Sequence, residues 1–183
     1  GLIPTGGADP YALRRLGIGI IQIIQAENQS LSVTALIEKG VAGFVSDAAK
    51  REGLVDQVKT FLQNRMVNIM TDQGFSREAV NSALAASFDN IPDVHLRVKA
   101  LDDLRKEPDF EPLAITFKRV ENILKKAGDI QVQPVDMALF EHGAENNLFE
   151  ACTKVTATVQ SLIEKGAYND ALKEIATLRP MVD

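Results

Sequence analysis

The 183-residue sequence has little of the residues that build disulfides, metal centres and redox sites. It contains one cysteine, Cys152, which excludes an internal disulfide and a cysteine-rich zinc site. Its two histidines, His95 and His142, lie far apart and have no second ligand at helical spacing, which disfavours a zinc or iron site. We therefore expect no metal and no cofactor to be bound by this chain.

Long apolar runs are also missing, and the charge balance is acidic. The richest apolar stretch, residues 16–24, is interrupted by two glycines and a glutamine and is far shorter than the roughly 20 residues of a membrane span. The net charge of −5 excludes a whole-protein field that attracts nucleic acid, so such binding needs a local basic patch. We expect no membrane partner, no DNA partner and a cytoplasmic location.

The sequence offers no catalytic constellation. The glycines of Gly6-Gly7 and Gly17-x-Gly19 follow no strand and lack the spacing of a phosphate-binding loop; the second pair more simply favours close helix packing. Adjacent carboxylates, such as those of Asp102-Asp103, point in different directions on a helix and do not form an acid–base pair. We expect this chain alone to have no active site.

Helical periodicity dominates, and no stretch shows sustained strand alternation, so we predict an all-α fold built as a helical bundle. Residues placed to cap helix starts are Asp9, Ser30 or Ser32, and Ser76. Gly128 is placed to end a helix in the left-handed conformation. The predicted helices cover residues 10–24, 33–44, 54–71, 77–84, 93–106, 111–127, 144–165 and 168–178.

The segment from Phe88 to Pro92 is the first clear interruption of the helical pattern. Asp89, Asn90 and Pro92 together end a preceding helix and start another. We place a domain boundary there, which gives a first domain over residues 1–88 and a second over 89–183. The chain starts with Gly1 rather than Met, and we expect it to be part of a longer protein.

One predicted helix, residues 113–128, separates apolar from basic side chains. Its apolar residues recur at helical spacing and are expected to pack against neighbours; they are Leu113, Phe117, Val120, Leu124 and Ala127. The opposite face carries Lys118, Arg119, Asn122, Lys125 and Lys126. Such a helix can sit in a bundle and still offer positive charge to an anion. Lysines in a last helical turn are, however, ordinarily a solvated face that complements the helix dipole.

Two further cations, Arg97 and Lys99, lie on the preceding predicted helix. If the two helices pack side by side, these cations join the basic face of residues 113–128 in a single patch. The sequence therefore gives seven candidate residues for binding an anionic partner.

Four segments resemble one family in the same order along the chain. The segment GGADPYALRRLGIGIIQII at 6–24 has a Gly-x-x-Asp-Pro turn, and FLQNRMVNIMTDQGFSREAVNSALA at 61–85 has Phe-x-x-x-Arg and Gln-Gly-Phe elements. FKRVENILKKAG at 117–128 and YNDALKEIATLRPMVD at 168–183 complete the set. Together they resemble the β subunit of the bacterial two-subunit glycyl-tRNA synthetase, whose Lys-Arg-x-x-Asn-Ile-Leu helix is similar to 118–124.

The resemblance implies that the chain is the C-terminal part of a β subunit, cut before its last, aromatic stretch. It implies that 1–88 follows an HD-like domain and that 89–183 is an anticodon-binding domain like that of arginyl-tRNA synthetase. Glycine activation with ATP then belongs to the α subunit, so ATP is used by the parent enzyme. The implied partners are the tRNA for glycine and that α subunit.

In this interpretation the basic face of 113–128 contacts the anticodon region. Lysine and arginine side chains hold phosphates, and Asn122 is suited to reading a base edge. A structural role for Arg119, paired with a carboxylate, is the alternative at that position. The alternative function for the whole chain is a helical module that braces the β subunit and its α partner without specific RNA contact. Salt-dependent tRNA binding separates the two.

Overall fold

The computed structural model describes residues 9, 11–108, 110–128 and 134–182. Within these residues the regular structure is helical and no strand occurs, so the predicted all-α fold is confirmed. The chain divides into two compact units, Gly1–Asp102 and Asp103–Asp183. No helix in the described part is long and apolar enough to cross a bilayer.

The first unit is built from α1 (Leu13–Ala26), α2 (Val33–Ala42), α3 (Ala48–Asp72), α4 (Arg77–Ala86) and most of α5 (Ile91–Leu104). The predicted caps Ser32 and Ser76 are confirmed, because their hydroxyls accept hydrogen bonds from the N–H groups of Ala35 and Ala79. Helix α3 starts earlier than predicted. Its cap is Asp47, whose carboxylate accepts from the N–H of Lys50 at 3.2 Å.

Helix α1 starts later than predicted. Residue Ala12, with φ of 55°, precedes its first turn in the left-handed conformation. Asp9 still supports this helix end, because its Oδ2 accepts a hydrogen bond from the N–H of Arg14 at 3.2 Å. The predicted first-turn residue Pro10 and the Gly6-Gly7 pair lie outside the described residues.

A single apolar core joins α1 to α5 in the first unit. Its fully buried side chains include Ile21, Met66, Val80 and Val94, which come from α1, α3, α4 and α5. Close packing of α1 on α3 depends on Gly17, where an added Cβ would lie 3.0 Å from Cε1 of Phe61. The same prediction for Gly19 is wrong, because an added Cβ there meets nothing within 4 Å.

The structure divides the chain after Asp102 and not at the predicted boundary between residues 88 and 89. Phe88 is buried in the first core, and α5 adds Ile91, Val94 and Val98 to it. The break at 88–92 is therefore a turn inside the first unit. Asp89 also ties this turn to the start of α2. Its carboxylate accepts a hydrogen bond from the N–H of Thr34, 55 residues earlier in the chain, and its carbonyl accepts one from the N–H of Val33.

The second unit contains α6 (Phe110–Ala127), α7 (Gly143–Glu164), α8 (Tyr168–Ala176) and α9 (Arg179–Val182), with a 3-10 turn at Met137–Leu139. Helix α7 packs against α8 and α9, and α6 packs against α9. Gly128 and Gly166, both with positive φ, follow the ends of α6 and α7, and the left-handed helix end predicted at Gly128 is confirmed.

The predicted packing of the apolar face of α6 holds only at its start. Leu113 is buried, but Phe117, Val120 and Leu124 are exposed by 49%, 36% and 63%. Ala127 is exposed as well. The expected packing of these four residues is therefore wrong, because the described helices of the second unit cover only the first half of α6.

Candidate nucleic-acid interface

Helix α6 forms where the sequence favours both of its ends. The N–H of Phe110 donates to the carbonyl of Glu107 at 3.1 Å, and Glu111 places negative charge in the first turn, where the helix dipole stabilises it. At the other end, Lys125 and Lys126 lie in the last turn, and Gly128 adopts φ of 71°. The helix thus presents its strongest positive charge near its C-terminal end.

The five predicted polar residues share one side of α6. At about 100° per residue, Lys118, Arg119, Asn122, Lys125 and Lys126 fall within an arc of roughly 120° centred opposite Leu113. All five are exposed. We call this set the basic face. It combines four cations with one amide side chain over about two and a half turns of helix.

One acidic residue, Glu121, lies at the edge of the basic face. Its Oε1 is 2.5 Å from Nζ of Lys125. This hydrogen bond, with the charges of Lys125 and Lys118, holds the pKa of Glu121 below its ordinary value. Both side chains are largely exposed, so solvent screens the pair and it stabilises the helix little. An incoming phosphate can compete with Glu121 for Lys125 at low cost.

An apolar residue, Ile115, also lies on the basic face. It precedes Lys118, Arg119 and Asn122 by three, four and seven positions, which places it on the same side of the helix. Its side chain is 63% exposed. The sequence interpretation missed Ile115, although its position on a helical wheel would have revealed it. An exposed aliphatic group among cations can contact a base or a sugar while the cations hold phosphates.

The two candidates outside α6 lie in the first unit and differ from each other. Arg97 is only 12% exposed, and its guanidinium bonds to Asp93 and to the carbonyls of Ala83 and Ser87 at 2.8–2.9 Å. These bonds join the end of α4 to α5 and favour a structural role. Lys99 is exposed two residues further on, where its charge contributes to lowering the pKa of His95. The joining of these cations to the basic face stays a prediction.

The surface of the first unit also has an open groove between α2 and α3. Its lining carries equal numbers of acidic and basic side chains, Glu38, Glu52 and Asp56 with Lys39, Arg51 and Lys59. Arg51 is further occupied by the carbonyl of Val45, to which its Nη2 donates at 3.0 Å. Such balanced charge gives a polyanion no net attraction, so the groove is a weaker candidate than the basic face.

Comparison with known proteins relates this chain to one family. The family described as glycyl-tRNA synthetase beta subunit matches residues 1–85. The glycine–tRNA ligase beta subunit of Desulforapulum autotrophicum is 54% identical over 182 residues, which covers 100% of this chain and 26% of that protein. The beta subunits of Desulfatibacillum aliphaticivorans and Geotalea uraniireducens are 45% and 44% identical with the same coverage. Residues 1–85 therefore match the glycyl-tRNA synthetase beta subunit family, and the whole chain is similar in sequence to glycine–tRNA ligase beta subunits.

The family match covers only the first part of the chain, whereas the similarity to the beta subunits extends over all of it. Residues 1–85 include α1 to α3 and all but the last residue of α4, and these helices contribute most of the first core. The basic face lies beyond that match but inside the stretch aligned with the beta subunits, which covers the whole chain. The chain spans about a quarter of the length of these relatives.

Proposed function

We propose that this chain is a tRNA-binding part of a glycine–tRNA ligase beta subunit and that the basic face of α6 contacts the tRNA. One observation carries the proposal: α6 presents Lys118, Arg119, Asn122, Lys125 and Lys126 together on one exposed side. Single-stranded RNA is bound by cations on phosphates together with side chains that contact bases. The basic face offers both kinds of group within one helix.

In the proposed mechanism the chain positions tRNA and does no chemistry. The lysines and Arg119 hold backbone phosphates near the anticodon, and Asn122 and Ile115 contact a base. The acceptor end then reaches the α subunit, where ATP-dependent glycylation takes place. By this proposal the second unit corresponds to an anticodon-binding domain like that of arginyl-tRNA synthetase, in the C-terminal part of a cytoplasmic beta subunit, and the first unit follows an HD-like domain.

The experiment measures tRNA binding by the complete α/β enzyme at several salt concentrations. Replacement of Lys118, Arg119, Lys125 and Lys126 by glutamine should weaken binding. It should also lower the slope of log affinity against log salt by about 0.7–0.9 for each phosphate that the variant no longer binds. The matched control replaces four exposed lysines outside α6 by glutamine and so removes the same amount of positive charge; they are Lys39, Lys50, Lys154 and Lys165.

The Ile115→Ala variant adds a second kind of readout. Removal of an apolar side chain from the interface should weaken binding with the salt slope unchanged, because no counterions are involved. If the variant with all four glutamine substitutions in α6 binds tRNA with the same affinity and the same salt slope as the control variant, the basic face does not bind tRNA.

The alternative is a helical module that braces the beta subunit and its α partner without specific RNA contact. The exposed apolar residues of α6 favour some protein contact on the opposite side of this helix. Under the bracing function, the glutamine variant keeps its tRNA affinity and its salt slope, whereas substitutions on the apolar side weaken subunit association. Parallel measurements of tRNA binding and α/β association separate the two functions.

A further inference from the structure

The apolar side of α6 lacks a partner along most of its length in the described part of the chain. Leu113 is 5% exposed, but the next residues of the same stripe, at spacings of four, three and four, are 49%, 36% and 63% exposed; they are Phe117, Val120 and Leu124. Together the three cover about 10 Å of helix at 1.5 Å per residue. We call them the open stripe.

An amphipathic helix in water obtains most of its stability from packing of its apolar side. Soluble proteins also rarely leave a contiguous group of large apolar side chains exposed without using it for contact. The open stripe contains an aromatic and two aliphatic side chains at the spacing of a buried helix face. Its composition is therefore that of a contact surface and not of a solvated one.

The open stripe is too short for a stable dimer of this chain. Standard protein interfaces bury about 800 Å² on each partner, far more than three side chains along 10 Å of helix supply. A segment of the same polypeptide needs a smaller contact, because the connecting chain holds it at high effective concentration. Such a segment has room in the sequence, since these 183 residues correspond to only 26% of a related beta subunit.

We propose that a helix from the part of the beta subunit outside these 183 residues docks on the open stripe and completes the core of the second unit. Its contacting side is apolar, and it covers Phe117, Val120 and Leu124 while leaving the basic face on the other side exposed. The proposal does not depend on tRNA binding, because it concerns the opposite side of α6.

The first test places a photo-crosslinking benzoylphenylalanine at Phe117 in the complete beta subunit. This aromatic-for-aromatic replacement disturbs the helix little. The expected product has the mass of one beta subunit and joins residue 117 to a peptide outside residues 1–183. A product with the mass of two beta subunits, a crosslink to the α subunit in the α/β enzyme, or the absence of any crosslink would each overturn the proposal.

A second test needs no aromatic analogue. Cysteine replaces Leu124 in one variant and Ile115 in the other, and peptide-resolved thiol labelling of the complete beta subunit gives the rate at each position. Both side chains are 63% exposed in the 183-residue structure, so they form a matched pair on opposite sides of α6. We expect labelling at 124 to be at least 100-fold slower than at 115. Equal rates contradict a covering helix.

Discussion

The two units contain similar helices but bury their apolar residues to different extents. In the first unit, every helix from α1 to α5 contributes to one continuous core. Among the described residues of the second unit, Leu113 and Thr116 of α6, Val155 of α7 and Ala171 of α8 are the buried positions. On α6 and on the 3-10 turn, apolar side chains as large as those of the first core are exposed to solvent.

This difference shows what helical periodicity determines and what it leaves open. A period of 3.6 residues fixes which side chains share a face, and this holds for α6 as well as for α3. Burial of that face requires a second element at the right distance. The first unit supplies such elements within the chain, whereas, among the residues that the structure describes, α6 has a neighbour only along its first half. The contrast makes separate predictions for the two units.

The largest expected difference comes from removing the same side chain in each unit. Leu62 of α3 is 6% exposed and Leu124 of α6 is 63% exposed. In the 183-residue chain, Leu62→Ala should lower the free energy of unfolding by about 2–5 kcal/mol, because it leaves a cavity in the core. Leu124→Ala should change it by less than about 0.5 kcal/mol.

Urea unfolding of both variants measures this difference, with hydrogen exchange showing which unit is affected. Both positions lie inside helices and receive the same substitution, so helix propensity cancels. Equal losses from the two substitutions would mean that the second unit has a core comparable to that of the first.

A smaller difference is expected from two capping aspartates, one in each unit. In the first, the Asp89 carboxylate accepts hydrogen bonds from the N–H of Thr34 at 2.8 Å and the hydroxyl of Ser32 at 3.0 Å. Hydrogen bonding from the side chain of Thr34, then from its N–H and from Ser32, holds the pKa of Asp89 below its ordinary value. In the second, Asp136 caps the exposed 3-10 turn through the N–H of Ala138 at 2.9 Å.

Asp89→Ala should cost about 1–2 kcal/mol of unfolding free energy, at the upper end for a helix cap, because it also releases the turn from α2. Asp136→Ala should cost less, since the turn that it caps is exposed. Because the folded pKa of Asp89 is lowered, its contribution is present above pH 3.8 and is lost as the pH falls through the folded pKa. Denaturation at pH 3 and pH 7 measures both effects, and equal costs at the two sites would contradict the contrast.

The sequence predicted local features better than long-range ones. Helix positions, the caps Ser32 and Ser76, and the grouping of the basic face all follow from spacings of a few residues, and the structure agrees. The pairing of Asp89 with Thr34 joins residues 55 positions apart, and no periodicity indicates it. This long-range clamp, together with the burial of α5, is why the predicted boundary at Asp89 differs from the division observed after Asp102.

The candidate site shows the same limit. The partner of Arg97 on its own helix, Asp93, stands four residues earlier and could be anticipated from the sequence. The carbonyls of Ala83 and Ser87 reach Arg97 only through the packing of α4 beside α5, so its structural role was not predictable. Exposure of Phe117 and Leu124 likewise depends on which helices lie nearby.

The smallest predicted effect concerns the histidine of each unit. His95 of α5 is half-buried in the first unit, where its Nδ1 lies 3.0 Å from the amide nitrogen of Gln25 on α1 and its ring packs perpendicular to that of Phe75. Since an amide nitrogen only donates, Nδ1 accepts this bond and the neutral ring fits the site. Burial, with a contribution from Lys99, lowers the pKa of His95 from 6.5. His142 is exposed at the start of α7.

The sign of the pH effect follows from the lowered pKa. Between the folded pKa of His95 and 6.5, the unfolded chain binds more protons than the folded chain, so the free energy of unfolding rises with pH in this window. The contribution of His95 is complete above pH 6.5 and is lost as the pH falls through its folded pKa. Unfolding measured between pH 5 and pH 7.5 should show this loss in the parent chain and in His142→Gln, but a smaller loss in His95→Gln. An identical pH dependence in all three proteins would show that the packing of α1 against α5 does not discriminate against the imidazolium ion.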